Sequence, residues 1–167
     1  MKKLSVCLMG LLVLAGCAST NVKDQATATP KANDATQAIT NTVAAVDPLA
    51  DTNGILARRS IFFAFDQSSV IDTGKPVLEA HAQYLKEHAN TKIILQGNTD
   101  ERGSSEYNLA LGNRRAESTK KILVVLGVAG KNIEVVSFGK EKPASLCHEE
   151  SCWAENRRAD IVYNNVN

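Results

Sequence analysis

Residues 97–116 read GNTDERGSSEYNLALGNRRA, and the local chemistry of this stretch decides the fold. The run KIILQ at 92–96 predicts a strand that enters Gly97, with Thr99 and Asp100 where it ends. A turn through Gly103 follows. Ser104 or Ser105 supplies an N-cap for a long helix that Gly127 stops. Strand, turn and helix form the repeating unit of α/β sheets, whose ligand sites gather at the carboxyl ends of strands.

The helix carries an anomaly. With each residue advancing roughly 100° around the axis, the order starting from Leu111 is Leu111, Ile122, Arg115, Leu126, Thr119, Gly112, Leu123, Ala116, Leu109. Arg115 therefore projects from inside the apolar arc, whereas Arg114 falls beyond its edge beside Lys121 and Glu117. A guanidinium in that place is costly unless carboxylates or a ligand satisfy it. Asn108 lies seven residues earlier on nearly the same stripe, so Asp100, Asn108 and Arg115 are expected to converge on one small space. Two readings fit: an internal Asp100–Arg115 salt bridge that pins the loop to the helix, or a ligand site at the strand mouth.

Outward from this centre, residues 61–66 (IFFAFD) predict an opening strand closed by Asp66. Thr73-Gly74-Lys75-Pro76 begins a helix to about His88, with Leu78, Ala82 and Leu85 as its apolar stripe. After the long helix, residues 133–138 predict a strand closed by Gly139, and a polar excursion over 140–151 leads to a short helical piece around 153–156. The last strand covers 159–163. Strands alternating with helices point to a two-layer α/β (α+β) domain with helices on a mixed sheet. The last connection is too short for a crossover helix, so the final strand is expected to pair antiparallel. Residues 18–57, rich in Ala, Thr, Asn and Asp, have no sustained apolar period and read as a flexible tether. Three histidines at 81, 88 and 148 make no metal cluster, and a net charge of +1 implies no nucleic-acid partner.

Thr99-Asp100, Gly103, Asn108, Leu111 and Arg115-Ala116 fit the pattern TD-x-x-G-x-x-x-x-N-x-x-L-x-x-x-RA. That pattern resembles the core motif of the OmpA-like peptidoglycan-binding domains. The fuller string, followed by SFGKEKPA and the NRRA that starts at Asn156, resembles the family's Gram-negative lipoproteins over about residues 58–164. The resemblance implies a βαβαβ-type OmpA-like domain that holds the meso-diaminopimelate of wall stem peptides without covalent chemistry. It implies a pocket lined by Asp66, Thr99, Asp100, Asn108, Leu111 and Arg115. Asp66 reads equally well as a turn or cap residue, and Arg157 as structural or peripheral. Diaminopimelate is a zwitterion, so Asp100 would accept from its ammonium and Arg115 would clamp its carboxylate with a planar fork. The resemblance further implies the outer membrane, the Tol–Pal system, and the periplasmic propeller protein TolB as a partner, in support of envelope integrity and cell division.

The amino terminus fits that expectation. Lys2-Lys3 and the apolar run 4–14 form an export signal too short to span a membrane, ending in Leu14-Ala15-Gly16-Cys17, which looks like a lipobox. The chain is expected to divide into a signal at 1–16, a lipidated Cys17 with its tether to 57, and a folded domain at 58–167. An N-acyl diacylglycerol on Cys17 would be its only covalent addition, and no cofactor or metal is expected. Ala18 favours the outer membrane, and loss of Lys2 and Lys3 takes the charge to −1. Cys147 and Cys152 then remain in an oxidising compartment, where a local disulfide is expected. A zinc site is the rival reading, with only His148 close by. The bridge adds to the family's pattern, and the sequence assigns it no role. A muramidase using Asp66 and Asp100 as acid and base is disfavoured, because an adjacent arginine keeps Asp100 ionised.

Overall fold

The computed structural model describes residues 47–164. The signal, Cys17 and the tether up to residue 46 lie outside the described residues. Four strands and three helices alternate: β1 (Ser60–Phe62), α1 (Lys75–Glu87), β2 (Ile93–Asn98), α2 (Ser105–Val125), β3 (Ile133–Gly139), α3 (Glu150–Asn156) and β4 (Arg158–Tyr163). The sheet order is β1-β4-β2-β3. β2 and β3 are parallel across the α2 crossover, and β4 runs antiparallel to both β1 and β2. Seven-residue α3 is too short to carry a parallel crossover, which is why the chain returns antiparallel.

Two expectations need correction. The opening strand is shorter than IFFAFD: Ala64–Asp66 leave the sheet, and Asp66 takes a left-handed backbone with φ 57°. The folded domain also begins before residue 58. Leu49 and Leu56, in two short 3₁₀ turns, are buried in the same core as Tyr84, Leu85 and Ile61. Asp47 caps the first turn at 2.9 Å and accepts from the Tyr84 hydroxyl at 3.3 Å. Two apolar side chains eleven residues or fewer from the first strand were too sparse to register as a periodic pattern.

The seat of α2 on the sheet is unusually close. A Cβ on Gly97 would overlap the carbonyl oxygen of Gly112, and one on Gly112 would overlap Ser137 Oγ and lie 2.8 Å from Gly97 O. Ser137 Oγ donates to Leu109 O at 2.6 Å, and Thr99 N–H donates to Gly139 O at 2.8 Å. The first half of α2 is thereby held over the carboxyl ends of β2 and β3, which fixes where Asn108, Leu111 and Arg115 stand.

On the other side of the core, His81 is fully buried between Arg58 O (3.1 Å from Nε2) and the Tyr163 hydroxyl (2.7 Å from Nδ1). A carbonyl only accepts, so Nε2 carries the proton and Tyr163 donates to Nδ1. Burial pushes the imidazole below its ordinary value, with Arg59 adding to that effect and the Arg58 bond opposing it. In unfolded chain the same ring protonates near pH 6.5. Acid therefore favours the unfolded state, and stability is expected to fall as pH drops below about 6.5, well above the range in which carboxylates titrate. Urea midpoints measured from pH 7.5 to 5 check this. A His81→Gln variant should lose that part of the pH slope, and an unchanged slope would refute the assignment.

Candidate functional site

The loop between β2 and α2 builds the site. Ser104 caps α2 by accepting from Tyr107 N–H at 3.2 Å, as expected. Gly103, at φ 93°, makes the turn. Asn108 is buried on the first turns of α2 and donates to Arg102 O at 2.8 Å, tying the loop to the helix. A cavity of about 220 Å³ opens there, lined by Phe65, Asp66, Thr99, Asp100, Arg102, Gly103, Tyr107, Asn108, Leu111 and Arg115. All six residues expected from the sequence line it together.

Arg115 is 0% exposed, and Arg114 beside it is exposed, as the wheel requires. Its partners are not the expected ones. Nε donates to Gln67 O at 2.9 Å, Nη1 to Asn98 O at 2.9 Å and Nη2 to Ala64 O at 3.2 Å. The guanidinium therefore ties the irregular segment after β1 to the end of β2. Three of its five N–H groups are used this way, and the residue also lines the cavity. Burial lowers its pKa to about 10, against the opposing charge of Asp100, so it stays protonated at neutral pH.

No Asp100–Arg115 salt bridge forms. Asp100 is instead held by Arg102, through Nη2 at 2.6 Å, Nε at 3.3 Å and the backbone N–H at 3.2 Å, and by Arg157 Nη1 at 3.4 Å. Burial raises the Asp100 carboxyl, and the Arg102 and Arg157 bonds outweigh it, holding it below the ordinary range. Its four acceptor positions are thus occupied. Arg157 sits behind the cavity, bonded also to Phe63 O at 3.2 Å and Glu150 at 2.5 Å. Its neighbour Asn156 clamps the polar excursion through Ala144 N, Ser145 N and Ser145 O.

Asp66 is the exposed carboxylate of the cavity, and its side chain accepts from the Tyr107 hydroxyl. Phe65 and Tyr107, 57% and 46% exposed, give the rim an aromatic edge. Phe65, Arg102 and Tyr107 also line the cavity, and the sequence does not single them out as site residues. Arg102 and Tyr107 lie inside the quoted stretch, and their nearness to Asp100 and Asn108 was the signal available. Cys147 and Cys152 are bridged, as expected, so they do not hold zinc.

This arrangement defines a class: a strand-turn-helix domain with a buried arginine under a small acidic and aromatic mouth. A model of the OmpA family matches residues 62–162, and the chain belongs to that family. Among its relatives, the peptidoglycan-associated lipoprotein of Pseudomonas putida is 35% identical over 95% of this chain and 95% of that protein. The peptidoglycan-associated lipoprotein of Mesorhizobium japonicum is 38% identical over 92% of this chain and 87% of its own length. The match to the Legionella pneumophila relative is 46% identical and takes in 60% of this chain but 57% of that protein. The crystal structure of the peptidoglycan-associated lipoprotein from Burkholderia pseudomallei superposes with a TM-score of 0.69 at 57% identity, covering 71% of this chain and all of that one. The C-terminal domain of Helicobacter pylori MotB shares the fold, with a TM-score of 0.58 at 19% identity over 64% of this chain and 83% of that one.

Proposed function

We propose that the cavity binds the free diaminopimelate end of peptidoglycan stem peptides and that the chain links this wall to the outer membrane. The observation that carries the reading is that a fully buried, protonated Arg115 and an exposed Asp66 line one cavity. A free carboxylate on the stem meets Arg115, and the ammonium on the same carbon meets Asp66. Asp100 serves by keeping Arg102 in place. Thr99 and Asn108 shape the loop, and Leu111 packs on the aliphatic chain. The names carried by the relatives support the same reading. Binding is reversible and breaks no bond; a muramidase needs a proton donor, and the guanidiniums around Asp100 keep it ionised. Sedimentation of the lipidated full chain, in detergent, with purified sacculi tests this. The protein should pellet with them, and protein left wholly in the supernatant would refute wall binding.

The anchor is Cys17, acylated after signal removal, with several chains contributing roughly 0.8 kcal/mol per buried methylene. Cys17→Ser is expected to leave precursor or a soluble periplasmic form without incorporated palmitate. A variant still labelled and outer-membrane-bound would contradict the anchor. The exposed Phe65 and Tyr107 at the mouth also favour a protein partner on the same surface, which within the Tol–Pal system is TolB. Sacculi and that partner should then compete for one site.

A further inference from the structure

The Cys147–Cys152 bridge, given no role by the sequence, stands beside the site. It joins the polar excursion to α3, and α3 sends two side chains toward the cavity wall. The Arg102 guanidinium lies over the Trp153 ring, 4.1 Å from its centre, and over the Phe65 ring at 4.2 Å. The indole N–H of Trp153 donates to Glu101 at 2.9 Å, one residue from Arg102. Glu150 bonds Arg157 Nη2 and lies 3.8 Å from Arg102 Nη2. Arg102 thus has two aromatic rings against its guanidinium and its Nε and Nη2 edge fixed on Asp100, while it lines the cavity.

An arginine side chain left free samples many rotamers, and ordering it on ligand arrival costs conformational entropy. A guanidinium already held by two rings and a carboxylate avoids that cost. We propose that Trp153, kept in place by the Cys147–Cys152 bridge, is a positioning residue that locks Arg102 against Asp100 and so sets the affinity of the stem site. This rests on the wall-binding reading for its consequence, but the lock itself is a property of the free protein. The bridge constrains the start of α3, and without it Trp153 and Glu150 are free to leave Arg102. The cavity wall then loosens while the sheet and α2, which hold Arg115, stay as they are.

The test uses the full chain in detergent with two readouts. The first is solvent exchange of the Arg102 Nε–H by NMR, with no ligand present. The second is affinity for a soluble muropeptide carrying meso-diaminopimelate. Trp153→Ala and the double variant Cys147→Ser with Cys152→Ser should each speed that exchange at least about tenfold and weaken binding about fivefold, through the stacking that cation–π contacts supply. Trp153→Phe, which keeps a ring on the guanidinium, should restore most of both. Unchanged exchange in the first two variants would overturn the lock, whatever the wall affinity. Faster exchange with unchanged affinity would overturn its control of binding. A wild-type chain that ignores the muropeptide would instead overturn the proposed function, and the exchange readout would still decide the lock.

Discussion

Replacing Arg115 by alanine is expected to lower the unfolding free energy by about 3–5 kcal/mol and to abolish muropeptide binding in whatever fraction stays folded. The carbonyls of Gln67, Asn98 and Ala64 lose this donor together, although Ala64 O keeps the Gln67 N–H at 3.2 Å, and a buried acceptor left without a partner costs about 1–3 kcal/mol. Water entering from the cavity satisfies some of them, which keeps the sum below the upper limit. Arg115→Lys should fail as well, because one ammonium cannot span three carbonyls fanned around a planar fork and also face a ligand. Arg114→Ala removes an exposed neighbour that lies over Tyr107 at 5.9 Å, and should change stability by less than about 0.5 kcal/mol. Urea unfolding with binding measured on the same samples separates the two roles. Equal effects from Arg114→Ala and Arg115→Ala would mean that bulk positive charge, not this guanidinium, is at work.

Gly97→Ala is the second large effect expected. The added methyl has no room, because what it meets is the Gly112 backbone and not a movable side-chain end. The cost should reach about 3 kcal/mol, the upper part of the range for overpacking, since relief requires α2 to lift from β2. Gly112→Ala should behave similarly, against Ser137 Oγ and Gly97. Binding should weaken too, as α2 carries Asn108, Leu111 and Arg115. Gly130→Ala is the comparison, since its Cβ would meet only Val124 Cγ2 at 3.5 Å, an ordinary contact. Thermal melts of the three variants check the ranking, and a Gly97→Ala protein as stable as Gly130→Ala would contradict the close seat of α2.

Much of this was legible in the chain, for reasons that differ from residue to residue. The long apolar period of residues 105–125 and the caps at Ser104 and Gly127 are local signals, and both gave the helix correctly. The place of Arg115 inside the apolar arc followed from helical geometry alone. What it bonds to did not. Its acceptors are backbone carbonyls in a segment 48 to 51 residues earlier and at a strand end, and carbonyls leave no mark in a sequence. Asp100 was matched to the wrong arginine because Arg102, two residues on, reads as an exposed loop residue until Trp153 and Phe65 are seen to cover it. Leu49 and Leu56 were missed because a 3₁₀ turn buries one side chain at a time and makes no stripe. Asp66 was found at a strand end, although the strand stops earlier and the residue turns through a left-handed backbone to reach the rim.

The central claim is that Arg115 and Asp66 together read a carboxylate and an ammonium on one carbon. Binding of the full chain to two wall preparations tests it most directly: one with meso-diaminopimelate at the third stem position, the other with lysine there, which keeps the ammonium and lacks the carboxylate. The account predicts at least tenfold weaker binding to the lysine wall, a difference of about 1.4 kcal/mol. Equal binding to both would contradict it.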